Sequence, residues 1–105
     1  MAQKIIIDTD PGIDDAMAIL AALYSPDLEV LGLTTVFGNT EVELCSLNAL
    51  RLVELEGNDH IPVAQGCGQP LVHNINSFSA GVHGKDGLGN TNLPLPLGKL
   101  DPRHA

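Results

Sequence analysis

Four aspartates, Asp8, Asp10, Asp14 and Asp15, fall within eight residues of the stretch IIIDTDPGIDDAMAILAAL that runs from Ile5 to Leu23. Side chains alternate along a strand, so Asp8 and Asp10 are expected to share a face at the end of the apolar run. Asp14 and Asp15 belong to the first turn of the helical pattern that follows, where the helix dipole stabilises a carboxylate by roughly 0.3–1 kcal/mol. Two like charges ~4 Å apart repel by about 4 kcal/mol at an effective dielectric of ~20, which outweighs that gain. Such a cluster takes up protons, separates or binds a cation. The candidate ligands are all oxygens, a donor set that suits a hard ion such as Ca²⁺ or Mg²⁺ better than zinc. These residues fill neither ion's shell alone, so water, a ligand with vicinal hydroxyls or further protein must complete it.

The elements that position these groups alternate in type. KIIIDTD is a short β-branched run with the pattern of a strand buried on both faces. Pro11 fits the first position of a helix with Asp10 as its N-cap, and Ile13, Ala16, Met17, Leu20, Leu23 and Tyr24 continue at helical spacing until Ser25-Pro26-Asp27 stops it. LEVLGLTTV, residues 28–36, reads as a second strand. Thr40 and Glu43 have the spacing of a capping box for a second helix ending at Gly57. HIPVAQG gives a third, shorter strand, and residues 66–105 are rich in Gly, Pro and Asn without periodicity.

This order predicts an α/β fold, an open parallel sheet of Rossmann-like type with three strands and two helices. Ligands of such sheets bind at the carboxyl ends of the strands. Those ends are DTDPGIDD and TTVFGN, the most polar junctions of the chain. Three strands and two helices do not cover both faces of a sheet, and a long aperiodic tail is unusual within a complete domain, so the pattern describes an incomplete one.

Composition narrows the function. With 105 residues, 44% hydrophobic residues and a formal charge of −8, the chain is read as globular and limited to one core. Its five Lys and Arg residues are scattered, which argues against nucleic acid as a partner. Only three apolar residues precede Asp8, too few for a signal peptide core or a membrane span, so the expected compartment is cytoplasmic and no membrane partner is expected. Cys45 and Cys67 form no CxxC pair, and Cys45 falls in a helical pattern that suits a buried thiol.

DTDPGIDDAMAI resembles the N-terminal signature of the nucleoside hydrolases of the inosine–uridine preferring type, and VFGNT at 36–40 and VHGKDGLG at 82–89 are similar to the family's next two blocks. Residues 1–105 would then be the N-terminal part of a single nucleoside hydrolase-like domain. The resemblance implies Ca²⁺-dependent hydrolysis of the N-glycosidic bond of a ribonucleoside to ribose and free base. It implies that Asp10 and Asp15 bind Ca²⁺, that Asp10 activates the metal-bound water, and that Asp14 holds a ribose hydroxyl. Asn39 would lie beside the water, metal and substrate, His83 near the leaving base, and Asp8 in a supporting role. His60, His73 and His104 receive none. The full-length enzyme would be a homo-oligomer. Members of the family are much longer, and their remainder supplies further metal, ribose and base contacts.

Two other readings follow from the same residues. The chain is a truncated, non-catalytic portion of such an enzyme, or IIIDTD belongs to an aspartate-nucleophile phosphohydrolase with Asp8 attacking phosphate and Mg²⁺ as its metal. The Pro11-Gly12 step and two further aspartates depart from the second pattern.

Overall fold

Among the described residues, each strand-to-strand connection is a helical crossover, and the handedness of such crossovers decides which face of a sheet is covered. The structure, a computed structural model, describes residues 2–55, 57–58, 60–71, 87–88 and 95–105. The elements run β1 (Gln3–Thr9), α1 (Ile13–Tyr24), β2 (Leu28–Thr35), α2 (Val42–Leu55) and β3 (Val63–Gln65). All pairings are parallel and the spatial order is β1-β2-β3. Successive crossovers of one hand, stepping in one direction across a sheet, put their helices on the same side. Accordingly α1 and α2 pack on each other and on β2.

The core lies between those helices and that face. Ile19 of α1, Ala49, Leu52 and Val53 of α2, and Leu33 and Val63 of the sheet are buried together. Ile7, Leu20, Leu23 and Val30 pack against them. The apolar stripe of α1 is therefore centred on Ile19, while Met17 and Tyr24 project outward. The expectation that β1 is buried on both faces does not hold. Ile6 is 65% exposed and Leu31 43% exposed, because both lie on the face that carries no helix among the described residues. A groove of about 270 Å³ lined by Ile6, Leu31, Thr34, Pro62, Asp101 and Arg103 runs over this face.

A register shift separates the Ile5–Val30 pair from the Ile6–Gly32 pair. The extra residue, Leu31, lets Val30 and Leu33 both point at the helices although they differ in parity. Helix α1 begins two residues later than Pro11. Its N-cap is Gly12, without a side-chain cap, and Gly12 O accepts from Ala16 N–H at 2.9 Å. Helix α2 likewise begins beyond Thr40, with Glu41 O accepting from Cys45 N–H at 2.9 Å. It ends as expected. Gly57 has φ 70°, its N–H reaches Glu54 O, and Asn58 N–H reaches Val53 O, the paired bonds of a left-handed helix terminus.

The aperiodic C-terminal segment is held by backbone bonds. Glu54 of α2 accepts from Leu97 N–H and Gly98 N–H. Asp101 N–H and Ala105 N–H bond to Val63 O and Gln65 O, which covers the outer edge of β3. No described helix is long and apolar enough to cross a membrane.

Leu52 is 2% exposed and Leu71 is 99% exposed. Leu52→Ala should cost about 2–5 kcal/mol and move the urea midpoint sharply down, while Leu71→Ala should stay within about 0.5 kcal/mol of the parent. Equilibrium denaturation followed by circular dichroism checks both.

Candidate functional site at the carboxyl edge of the sheet

Strands β1 and β2 are adjacent and parallel, so the segments leaving their carboxyl ends emerge side by side. Val36 N–H donates to Thr9 O at 3.1 Å and Gly66 N–H to Thr35 O at 2.8 Å, which joins the exits of all three strands. Immediately beyond, the chain after β2 turns over Asp10. Asn39 N–H donates to Asp10 Oδ2 at 2.8 Å, and Asn39 Nδ2 donates to Asp10 O at 2.9 Å. Side chain and backbone of Asp10 are thus gripped by one residue.

Asp15 approaches from the first turn of α1. Its Oδ2 accepts from Thr9 Oγ1 at 2.7 Å and from Asp10 N–H at 3.1 Å. Thr9 is buried on the helix-facing side of β1, so its hydroxyl meets the incoming helix. Gly38 shows how closely the two loops meet. A Cβ at that position would overlap Asp10 Oδ2, so the loop reaches Asp10 only because residue 38 has no side chain.

The four aspartates separate into distinct environments. Asp8 lies on the uncovered face, where its Oδ1 accepts from Thr34 Oγ1 at 2.7 Å across the β1–β2 pair. Asp14 is exposed on the first turn of α1. The expectation that Asp8 and Asp10 share a face fails because the strand ends at Thr9 and Asp10 belongs to the turn. Among the described residues, no three His, Cys, Asp or Glu groups gather to hold a metal. The Asp10–Asp15 pair with Asn39 is what the fold brings together. His83 lies outside the described residues, as does most of the 82–89 block; Gly87 and Leu88 of that block are described and both are buried.

Burial pushes the Asp10 carboxyl above its ordinary value, and the neighbouring Asp15 carboxylate pushes it further, against the opposing Asn39 N–H bond. A part-buried Asp10 carboxyl of raised proton affinity beside the Asp15 carboxylate fits part of the shell of a hard cation, whose charge would offset both the desolvation of Asp10 and the repulsion. Sequence reasoning did not single out Thr9, Gly38 or Asn48. Asn48 is wholly buried in the middle of α2, with Nδ2 3.4 Å from Pro11 O and Oδ1 accepting from Arg51 Nη1 at 3.1 Å. A polar amide within the apolar stripe of Cys45, Ala49 and Leu52 is the signal that could have found it. Cys45 is also buried, donates to Thr40 O at 3.5 Å, and has its thiol pushed up to about 12 by burial; Cys67, just past β3, is exposed, and both are free thiols.

Comparison with known proteins gives concordant matches. A profile of the inosine-uridine preferring nucleoside hydrolase family matches residues 5–105. A probable uridine nucleosidase 2 of Arabidopsis thaliana is 56% identical over 98 residues, covering 92% of this chain and 30% of the relative. The inosine-uridine preferring nucleoside hydrolase of Leishmania major is 45% identical, covering 100% of this chain and 33% of the relative. Among solved structures, a plant nucleoside hydrolase superposes with a TM-score of 0.93 at 46% identity, over 99% of this chain and 33% of its own. The chain thus spans about a third of the length of these relatives.

The raised Asp10 pKa has a definite effect on stability. The folded chain binds more protons than the unfolded chain once pH exceeds the ordinary value of 3.8, so Asp10 lowers stability as pH rises from there through its folded pKa. Asp10→Asn removes the ionisable group, and its stability relative to the parent should therefore increase with pH across that window. Paired urea titrations between about pH 3 and pH 7 measure the difference, and a relative stability that falls with pH would contradict the assignment.

Proposed function

The chain belongs to the nucleoside hydrolase family, and from that premise we propose that its Asp10, Asp15 and Asn39 form the metal-and-water portion of a Ca²⁺-dependent nucleoside N-ribohydrolase site. The observation that carries this reading is the coupling of Asp10 to Asp15 and Asn39 at the carboxyl edge of a parallel sheet, where α/β folds place their ligands. Residues 1–105 would form the N-terminal part of one hydrolase domain acting on a ribonucleoside in the cytoplasm.

Asp10 and Asp15 would hold Ca²⁺, whose positive charge, when bound, favours deprotonation of water and attracts the 2′ and 3′ hydroxyls of ribose. Asp10 takes a proton from the attacking water, a role to which its elevated proton affinity suits it. Asp15 is fixed for its part by the Thr9 hydroxyl and the Asp10 N–H. Asn39 commits Nδ2 to the Asp10 carbonyl, so the group it offers to water or substrate is Oδ1. Asp14, exposed on the same helical turn as Asp15, receives a ribose hydroxyl. Attack at C1′ through an oxocarbenium-like state releases ribose and the free base, and His83 would stand near that base.

A second reading concerns residues 1–105 by themselves, which span about a third of the relatives' length. In that reading these residues form a half-site that binds Ca²⁺ without turning substrate over. Thermal unfolding in Ca²⁺ and ribose release from uridine and inosine separate the two. Ca²⁺ should raise the unfolding midpoint of the parent and not that of Asp10→Asn. Ribose release that falls at least ~10²-fold on Asp10→Asn identifies a hydrolase, whereas Ca²⁺ binding without release identifies the half-site. A midpoint indifferent to Ca²⁺ would overturn the calcium reading.

A further inference from the structure

We infer that Asn48 is a positioning residue for the Asp10–Asp15 pair, and that the backbone at Gly87 packs directly on it. In its link to metal binding this rests on the reading of the site given above. Asn48 is 0% exposed in the interior of α2, a place where asparagine is a poor helix former and buries a polar amide at a cost unless both ends are bonded. Both ends have partners of fixed character. Arg51 only donates, so its Nη1 at 3.1 Å requires Oδ1 of Asn48 to face it. That leaves Nδ2 directed at the Pro11 carbonyl, which only accepts, at 3.4 Å.

Pro11 joins Asp10 to the N-cap Gly12 of the helix that carries Asp15. Both Pro11 and Gly12 are buried. The orientation of the Pro11 peptide therefore sets how the two carboxylates face each other. A third contact converges on the same point. Gly87 has φ 77°, and a Cβ there would stand 2.8 Å from Asn48 Nδ2 and 3.5 Å from Pro11 O. The backbone at Gly87 thus lies against the Asn48–Pro11 contact, with the neighbouring Leu88 side chain buried at 6% exposure. Asn48 stands between the aspartate turn on one side and Gly87 on the other.

The test uses the 105-residue chain and two variants that attack the contact from opposite sides. Asn48→Leu keeps the volume and removes the amide, with its bonds to Pro11 and Arg51. Gly87→Ala leaves α2 intact and places a methyl group against Nδ2. Gly57→Ala is the control, because Gly57 has a similar φ of 70° but nothing within 4 Å of its added Cβ.

Amide hydrogen exchange without metal reads the Asn39 N–H, which bonds to Asp10 Oδ2, against the Leu33 N–H, which bonds to Pro62 O away from the turn. A positioning role lowers Asn39 protection at least about tenfold relative to Leu33 in Asn48→Leu and Gly87→Ala, and leaves the ratio unchanged in Gly57→Ala. A merely structural role lowers both amides together. Ca²⁺ titration should show affinity weakened by about tenfold or more in the same two variants, the usual consequence of losing a group that orients a metal ligand.

An unchanged Asn39/Leu33 ratio in Gly87→Ala overturns the proposal, even if Asn48→Leu does not fold. A parent chain that binds no Ca²⁺ would refute the calcium reading of the site, and the exchange ratio would still decide the role of Asn48.

Discussion

Parallel strands linked by right-handed crossovers must place their carboxyl ends along one edge, and everything distinctive about this chain follows from that constraint. Because β1, β2 and β3 step across the sheet in one direction, both helices fall on one face, and the core forms there. The same stepping sets the exit of β1 beside the exit of β2. Asp10 and Asn39 are 29 positions apart in the chain, and they meet because adjacent parallel strands deliver them to the same edge. The opposite face, with Ile6 and Leu31 at its surface, is the complement of this arrangement, since among the described residues no crossover returns in the other direction to cover it.

The site is held more tightly by backbone than by side chains. Asn39 N–H and Asp10 N–H each donate to a carboxylate, and the Asp10 carbonyl accepts from the Asn39 amide. Such groups move only with the strands and the helix that carry them, which lets two partly buried carboxylates remain adjacent despite their repulsion. Gly38 contributes by lacking a side chain where one would overlap Asp10, and Thr9 by presenting a hydroxyl from the last strand position to the first turn of the helix.

The order of elements was legible because β1, β2 and both helices are long enough to show their periods, and the sheet edge was legible because the polar residues cluster where strands end. Boundaries were less so. Asp10 has the composition of an N-cap, but its carboxylate is engaged by Asn39, a partner from another element, and Gly12 caps the helix instead. Crowding of four aspartates in sequence suggested one cluster, yet alternation along β1 and the turn at Asp10 send Asp8 to the open face and leave a pair. Asn48 is marked in the sequence only as a polar amide within an apolar stripe, and what it and Gly87 meet could not be read from spacing, since their contacts with the Pro11 carbonyl and with each other are defined only by packing. The attachment of residues 97–105 was equally hidden, because it relies on backbone N–H groups that carry no side-chain signature.

The two thiols differ in a way that gives the chain a built-in reporter position. With its thiol pushed up to about 12 by burial and its side chain fully buried beneath α2, Cys45 stays protonated at neutral pH and does not meet reagents in solution. Cys67 is exposed, and its carbonyl accepts the N–H of Phe37, two residues before Asn39. A fluorophore or spin label offered to the unmodified sequence would therefore attach at a single point, one backbone hydrogen bond away from the loop that grips Asp10. Rearrangement of that loop would be visible spectroscopically without a single engineered substitution.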